Sequence, residues 1–218
     1  MTIRLAVFDC DGTLVDGQAA ICNAMEMAFG QAKMPPPPRH DVRRIVGLSL
    51  PMAMRRLAPE RSDEELALLV DSYMAAFFAA RTSGQLAEPL YDGIAPLLDG
   101  LRGGGWQLAV ATGKSDRGLR GCLTSHGLLD HFSSLQTADR HPSKPHPSML
   151  EQAMADTFAA PCDTVMIGDT AYDIEMALAA GTRAIGVAWG YHPPEELLAA
   201  GAEAVAASAS ELKELLDG

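Results

Sequence analysis

The sequence predicts a doubly wound (Rossmann-like) parallel α/β sheet with an inserted all-helical domain. Three observations support this fold class. Short apolar stretches typical of strands recur along the 218 residues. Helical patterns follow these stretches or lie between them, as in parallel sheets that are covered by helices on both faces. Between residues 9 and 112 the chain advances by 103 residues, whereas a strand–helix–strand unit needs roughly 30. The excess predicts an insert.

The predicted strands are almost entirely apolar, as expected of strands that are buried on both faces of a sheet. They cover residues 3–8, 107–111, 164–168 and 182–187. Helical patterns cover residues 115–126, 147–157, 171–180 and 210–216. In a sheet of this kind the ligand site lies beyond the carboxyl ends of the strands, so the residues that follow the strands are the candidates for chemistry.

The insert has helical patterns along its length. Its clearest element begins with the sequence Ser62-Asp63-Glu64-Glu65, a capping box, and continues with apolar residues at helical spacing: Leu66, Leu69, Val70, Tyr73, Met74, Phe77 and Phe78. Four prolines at 35–38 should separate this part from an earlier helix. We therefore predict a core domain of residues 1–16 plus 87–218 and a helical cap domain of residues 17–86.

Composition restricts the class of partner. The net charge of −11 argues against nucleic acid or an anionic membrane surface. The four cysteines are scattered without a CxxC pair, so neither a disulfide framework nor a cysteine-rich zinc site is expected. We see no signal segment and no run of 18 apolar residues. A cytoplasmic protein, monomeric or homodimeric, is the expectation.

Acidic side chains follow two of the predicted strands. Asp9 and Asp11 come directly after the first strand, and their spacing points both side chains to one side. Asp169 follows the strand at 164–168, and Asp173 lies one turn into the next helix. An Asp-Gly turn or a helix N-terminus could explain one acid alone. Four carboxylates in one crevice instead predict a hard divalent cation, with Mg²⁺ favoured by oxygen-only ligands.

Other residues at the strand ends suit a phosphate group. Thr112 and Gly113 end one strand and open a helix, so a hydroxyl and backbone amides could meet phosphate oxygens there. Lys144 lies in a proline-flanked loop, where it could offset carboxylate charge and hold a phosphoryl oxygen. The Gly113-Lys114-Ser115 sequence resembles the end of a Walker A loop, but Leu108 occupies the position of its leading glycine. A P-loop is not expected.

The cap is more basic than the rest of the chain. Its arginines include Arg39, Arg43, Arg44, Arg55, Arg56 and Arg61. A basic lid over an acidic body suits an anionic substrate, although a solvated helix face with routine salt bridges would give the same pattern. Arg43, Arg44 and Ser49 are the cap residues that we expect to influence substrate choice.

Taken together, these segments resemble the haloacid dehalogenase superfamily. DCDGTLVD, the strand ending in Thr112, the Lys144-Pro145 loop and GDTAYD are similar to its four motifs and occur in the same order. The insert resembles the helical C1-type cap. IVGLSL and GVAWGYHPPEELLAAGA are most similar to phosphoglycolate phosphatase-like members. The chain departs from that pattern at Gly113, where these relatives often have Asn, and at Asp92, where they often have Pro.

The resemblance implies a phosphoryl transfer. Asp9 would be the nucleophile and form an aspartyl-phosphate, and Asp11 would act first as acid and then as base. The ligands of Mg²⁺ would be Asp9, the main-chain carbonyl of Asp11, Asp169 and Asp173. The groups that hold the phosphate would be Gly12, Thr112, Gly113 and Lys144. The implied partner is a small anionic phosphate ester, with phosphoglycolate favoured.

Several alternatives share this pattern. A dehalogenase would not need the second acid, Asp11, and a phosphonatase would need a cap lysine, for which Lys33 beside the prolines is poorly placed. A sugar phosphomutase, a nucleotidase and a pyrophosphatase remain open. A non-catalytic binding module on the same fold is disfavoured by the complete set of acids and lysine.

Overall fold

The computed structural model describes residues 3–217, and a parallel sheet forms the centre of this part of the chain. Its strands are β1 (Arg4–Phe8), β2 (Trp106–Thr112), β3 (Ser134–Thr137), β4 (Thr164–Gly168), β5 (Arg183–Val187) and β6 (Ala204–Ala206). Among the described residues these six strands lie in the order β3-β2-β1-β4-β5-β6, and every neighbouring pair is parallel. The chain leaves β1 toward β2 and β3 on one side and later crosses to β4 on the other. The predicted doubly wound fold is confirmed.

Helices cover both faces of the sheet and form the insert. They are α1 (Gln18–Gln31), α2 (Arg39–Arg44), α3 (Leu50–Leu57), α4 (Asp63–Thr82), α5 (Ile94–Gly103), α6 (Asp116–Ser125), α7 (Ser148–Thr157), α8 (Ala171–Ala179), α9 (Pro194–Ala199) and α10 (Ala209–Asp217). Short 3₁₀ turns lie at Leu129–His131 and Pro161–Asp163. Between residues 3 and 217, no helix combines the length and the apolarity that crossing a membrane requires.

Successive side chains of β1 point to opposite faces of the sheet and enter different cores. Ala6 and Phe8 pack with residues of α5, α6 and α10, whereas Leu5 and Val7 pack with residues of α7 and α8. All four side chains are fully buried. A central parallel strand that is covered on both faces must be apolar at every position, which explains why β1 was visible in the sequence.

Two strands and two helices were not predicted: β3, β6, α5 and α9. Strand β3 has the polar sequence SLQT, and its Gln136 is nevertheless buried because its amide donates hydrogen bonds to Ser134 and Asp156, both at 2.7 Å. Strand β6 has three residues in an alanine-rich stretch. The polar β3 lacks the apolar pattern of the other strands, and β6 is too short to be distinguished from its surroundings.

The predicted capping box is present at the start of α4. The backbone N–H of Glu65 donates to the Ser62 hydroxyl at 3.2 Å, and the Glu65 carboxylate accepts from the Ser62 N–H at 2.9 Å. The prolines at 35–38 lie between α1 and α2 without regular structure. Helices α1 to α4 share an apolar cluster of their own, which includes Ile21, Met25, Val42, Met54 and Leu69.

Candidate active site

The neighbouring strands β2, β1 and β4 bring three predicted site residues to one edge of the sheet. Asp9 follows β1, Thr112 ends β2 and Asp169 follows β4. Asp173 lies in the first turn of α8, and Lys144 reaches the same place from the loop before α7. All five side chains are buried. The residues chosen from four separate segments of the sequence therefore lie together.

Lys144 is the cation at the centre of this group. Its Nζ lies 2.6 Å from Oδ1 of Asp173 and 3.0 Å from Oδ1 of Asp9. The contact to Asp9 has an ion-pair distance without good hydrogen-bond geometry, and neither carboxylate oxygen of Asp9 accepts a hydrogen bond from the residues described here. Burial would lower the pKa of the Lys144 ammonium, but the charges of Asp173 and Asp9 outweigh burial and raise that pKa. The lysine is therefore charged.

The other two carboxylates are held by hydrogen bonds. Asp169 accepts from the Thr13 hydroxyl at 2.8 Å and from the backbone N–H of Tyr191 at 2.9 Å. Asp173 accepts from the N–H and the hydroxyl of Thr170, at 3.0 and 2.7 Å. Partners of this kind fix the orientation of carboxylates that bind a metal ion.

Three buried carboxylates form a group that fits a divalent cation. Asp9, Asp169 and Asp173 each offer an oxygen within 4.8 Å of the others, and Lys144 alone leaves two negative charges uncompensated. Burial raises the pKa of Asp9 to about 6, with Lys144 opposing the rise and Asp173 adding to it. Burial, followed by the charges of Asp173 and Asp9, raises the pKa of Asp169. An all-oxygen site with excess negative charge is what Mg²⁺ prefers.

Asp11 lies outside this carboxylate group and has a lysine of its own. Lys114 Nζ contacts both Asp11 oxygens, at 2.6 and 2.8 Å, and Oε1 of Glu88 at 2.7 Å. Glu88 in turn accepts from Arg81 at 2.8 Å. Burial raises the pKa of Asp11 although Lys114 opposes it. A carboxyl group with a raised pKa is suited to donate a proton.

Sequence reasoning missed Lys114 as a site residue. In the sequence Lys114 belongs to a Walker A-like stretch that lacks the leading glycine. Its position two residues after Thr112, in the loop that follows β2, was the signal that could have identified it. That signal does not reveal that the partner is Asp11, which lies 103 residues earlier in the chain.

Two glycines of the site are required by close contacts. Gly12 has φ +87°, and a Cβ atom there would lie 2.1 Å from Oδ2 of Asp169. At Gly113 a Cβ atom would lie 2.5 Å from the Leu48 carbonyl oxygen and 2.7 Å from that of Gly47. Residues 45–49, which join α2 to α3 and are called the cap loop below, therefore lie directly on Gly113. A side chain such as Asn at position 113 would collide with these carbonyls, which is consistent with glycine at this position.

We expect Gly113→Ala to weaken the contact between the cap loop and the core, because backbone carbonyls cannot move aside as a flexible side chain can. Misplacement by about 1 Å can cost up to 100-fold in rate, so kcat/KM for a phosphomonoester should fall about 10- to 100-fold. Amide hydrogen exchange at Ser49, whose N–H donates to the Ser143 hydroxyl at 2.8 Å, should become faster.

The matched control for this variant is Gly103→Ala, since nothing lies within 4 Å of a Cβ atom at that glycine. Unchanged exchange at Ser49 together with unchanged kcat/KM in Gly113→Ala would contradict the contact.

The cap residues that we predict to influence substrate choice do not all lie at the cavity. Neither Arg43 nor Arg44 is among the residues that line the cavity between cap and core, whereas Ser49 is. Arg44 pairs with Glu196 of the core at 2.8 Å, and its carbonyl accepts from the Tyr172 hydroxyl at 3.2 Å. Other arginines of the cluster pair with acids inside the cap: Arg39 with Glu26, Arg55 with Asp63, and Arg61 with Glu65. The basic pattern is mainly a salt-bridged outer face.

A cavity of about 600 Å³ lies between the cap and the strand ends. Asp9, Asp11, Thr112 and Gly113 line it on the core side. The cap contributes mainly apolar side chains, among them Ile21, Met25, Val46, Leu48, Val70 and Phe77. Asp9 and Asp11 thus face a partly open cavity that can hold a small molecule.

Comparison with known proteins agrees with this architecture. The model of the family described as "Haloacid dehalogenase-like hydrolase" matches residues 6–187. The "Probable phosphatase IndB" of Dickeya dadantii is 37% identical over 211 residues, which are 95% of this chain and 91% of that protein. The "Phosphoglycolate phosphatase" of Vibrio vulnificus is 28% identical over 98% of this chain and 96% of its own. A crystal structure of "a predicted phosphatase from Clostridium acetobutylicum" superposes with a TM-score of 0.88 at 27% identity, covering 99% of both chains.

Proposed function

The chain belongs to the haloacid dehalogenase-like hydrolase family and is a hydrolase of the phosphatase kind, and we propose that it is a Mg²⁺-dependent phosphatase that cleaves a small phosphomonoester through an aspartyl-phosphate. The observation that best supports this proposal is the buried group of Asp9, Asp169 and Asp173 around Lys144. Phosphoryl transfer depends on positioning and on neutralising charge, and this group is suited to both.

In the proposed first step Asp9 attacks phosphorus. A bond forms between a carboxylate oxygen of Asp9 and phosphorus, and the bond from phosphorus to the ester oxygen breaks. Asp11 gives its proton to the leaving oxygen. Lys114 positions Asp11 through contacts to both carboxylate oxygens. In the second step Asp11 takes a proton from water, whose oxygen forms a bond to phosphorus. The bond from phosphorus to the Asp9 oxygen breaks, which releases phosphate and restores the Asp9 carboxylate.

The remaining site residues would hold the phosphoryl oxygens. Lys144 supplies a buried positive charge beside Asp9, and Thr112 supplies a hydroxyl. The backbone at Gly12 and Gly113 can approach closely because neither residue has a side chain. Mg²⁺ bound by Asp9, Asp169, Asp173 and the Asp11 carbonyl would supply the charge that lets a carboxylate approach an anionic phosphate.

Residues 17–86 would act as a cap that closes over the bound ester. Closure excludes water from the first step and lets the cap select the leaving group. A sugar phosphomutase would need a second phosphate-binding site in the cap. The cap residues that line the cavity are mostly apolar, which favours hydrolysis over the mutase alternative.

Removal of the metal should abolish turnover. We expect chelation to lower phosphate release from every active phosphomonoester by at least about 100-fold, as loss of a main electrostatic stabiliser does, and added Mg²⁺ to restore it. The measurement is phosphate release from a panel that includes phosphoglycolate, phosphosugars, nucleotides and pyrophosphate. Full activity after chelation would contradict the proposal.

Metal binding can also be measured without turnover. Mg²⁺ that binds only the folded state should raise the thermal unfolding midpoint of the wild type. Asp169→Asn should reduce this rise, whereas the exposed control Asp130→Asn should keep it. An equal rise in both variants would place the metal site elsewhere.

A further inference from the structure

We propose that the preferred substrate is a phosphomonoester with an apolar or aromatic leaving group considerably larger than glycolate. This inference rests on the proposed phosphatase function and specifies its substrate class. The chemistry of the cavity walls carries it, and it differs from the phosphoglycolate preference expected from the resemblance.

The cap side of the cavity is built from apolar side chains on several elements. Helix α1 contributes Ile21 and Met25, the cap loop contributes Val46 and Leu48, and α4 contributes Val70 and Phe77. They face Asp9 and Asp11 across the cavity. A leaving group attached to a phosphate at Asp9 must extend into this apolar space, where burial of hydrocarbon is favourable.

Aromatic rings lie close to the acid that would protonate the leaving oxygen. Tyr73 and Phe77 stack with ring centroids 5.8 Å apart and an interplanar angle of 24°. Lys114 Nζ, which contacts Asp11 at 2.6 Å, lies 5.4 Å from the centre of the Phe77 ring. The first carbons of a leaving group would therefore meet an aromatic wall, which suits stacking with another ring.

Two cations of the cavity wall are already paired with carboxylates, and the third, Arg117, lies at its exposed edge. Lys114 is paired with Asp11 and Glu88, and Arg81 is paired with Glu88. Arg117 places its guanidinium 3.8 Å from the ring centre of Phe78, and both side chains are exposed at the edge of the protein. A glycolate carboxylate held near Asp11 would lose its hydration beside Lys114, which is already paired with Asp11 and Glu88, and this loss is costly in apolar surroundings.

The size of the cavity also favours a leaving group larger than glycolate. Its volume of about 600 Å³ lies within the range of roughly 300–1,000 Å³ that is typical of sites for drug-sized ligands. A two-carbon leaving group would contact few of the apolar side chains. A ring on a short linker could contact both the α1 and the α4 walls.

Three esters of similar intrinsic reactivity test this inference: 2-phenylethyl phosphate, ethyl phosphate and phosphoglycolate. All are primary alkyl esters, so differences in kcat/KM report on the cavity. We expect kcat/KM for 2-phenylethyl phosphate to exceed both others by at least about tenfold, in the range that apolar pockets achieve. Equal values, or a preference for phosphoglycolate, would overturn the inference and leave the phosphatase function standing. Absence of Mg²⁺-dependent release from all esters would overturn the phosphatase function and the inference with it.

Variants of α4 locate the selectivity. The selectivity ratio is kcat/KM for 2-phenylethyl phosphate divided by kcat/KM for ethyl phosphate. Phe77→Ala should lower this ratio by about tenfold. Met74→Ala removes a half-exposed side chain of the cavity wall and should lower the ratio by about threefold. Leu68→Ala, on the same helix and exposed, should keep the wild-type ratio. Because both esters are assayed on one preparation, the ratio does not depend on the folded fraction. A wild-type ratio in both Phe77→Ala and Met74→Ala would overturn the assignment.

Discussion

Replacing Asp9 with asparagine should lower phosphate release by at least about four orders of magnitude, as removal of a covalent nucleophile does in other enzymes. Asparagine has nearly the same shape as aspartate but lacks the anionic oxygen that would attack phosphorus. Release from the best ester of the panel, compared with a protein-free blank, is the measurement. Turnover within tenfold of the wild type would exclude Asp9 as the nucleophile.

The same substitution should leave the fold intact. Asp9 is buried, and burial raises the pKa of its carboxyl to about 6, so its charge opposes folding at pH 7 in metal-free buffer. Asparagine removes one of the two uncompensated negative charges, and Lys144 keeps its contact to Asp173 at 2.6 Å. We expect the unfolding midpoint without Mg²⁺ to be no lower than that of the wild type. Rapid acid quenching with an ester that carries the radiolabel in its phosphoryl group should trap labelled aspartyl-phosphate in the wild type and not in the variant.

Much of the fold and the carboxylate group could be predicted from local sequence. Strand β1 and the GDTAYD segment have patterns that depend on near neighbours in the chain, and parallel strands bring their carboxyl ends to one edge. Polar β3 was missed because its buried Gln136 is satisfied by Asp156, 20 residues away. Such pairing is a property of the folded state and leaves no local pattern.

The contacts of the cap arginines could not be predicted from local sequence either. A cluster of arginines has the same sequence pattern whether it contacts a substrate or neighbouring carboxylates. The partner of Arg44 is Glu196, 152 residues later, and the partner of Lys114 is Asp11, 103 residues earlier. Charge counting therefore indicated a basic lid, whereas the cap side of the cavity is apolar.

Contacts between cap and core would link substrate choice to catalysis. The cap loop rests on Gly113 through the Gly47 and Leu48 carbonyls, and Gly113 adjoins Thr112 at the end of β2. Leu48 also lines the apolar side of the cavity. A leaving group that fits against Leu48 would therefore favour the cap-loop position that encloses the phosphate-binding residues Thr112 and Gly113. Binding energy from a remote part of the substrate would in this way assist the reaction itself.

Lys144→Met should be the most destabilising single substitution in the site. Methionine is similar in length to lysine but has no charge, so Asp9, Asp169 and Asp173 would remain buried without their cation. Removing one partner of a buried ion pair typically costs about 3–5 kcal/mol, and we expect the free energy of unfolding in metal-free buffer at pH 7 to fall by about that amount. Chemical denaturation followed by circular dichroism provides the measurement.

The control is Lys213→Met, which removes an exposed ion pair with Asp217 and should cost less than about 1 kcal/mol. Mg²⁺ should restore part of the stability of Lys144→Met, because a divalent cation neutralises the same carboxylates. It should not restore turnover, since no group then replaces the ammonium beside Asp9. Turnover should remain at least about 100-fold below the wild type. A Lys144→Met protein as stable as the control would show that the three carboxylates do not share a buried negative charge that a metal ion could neutralise.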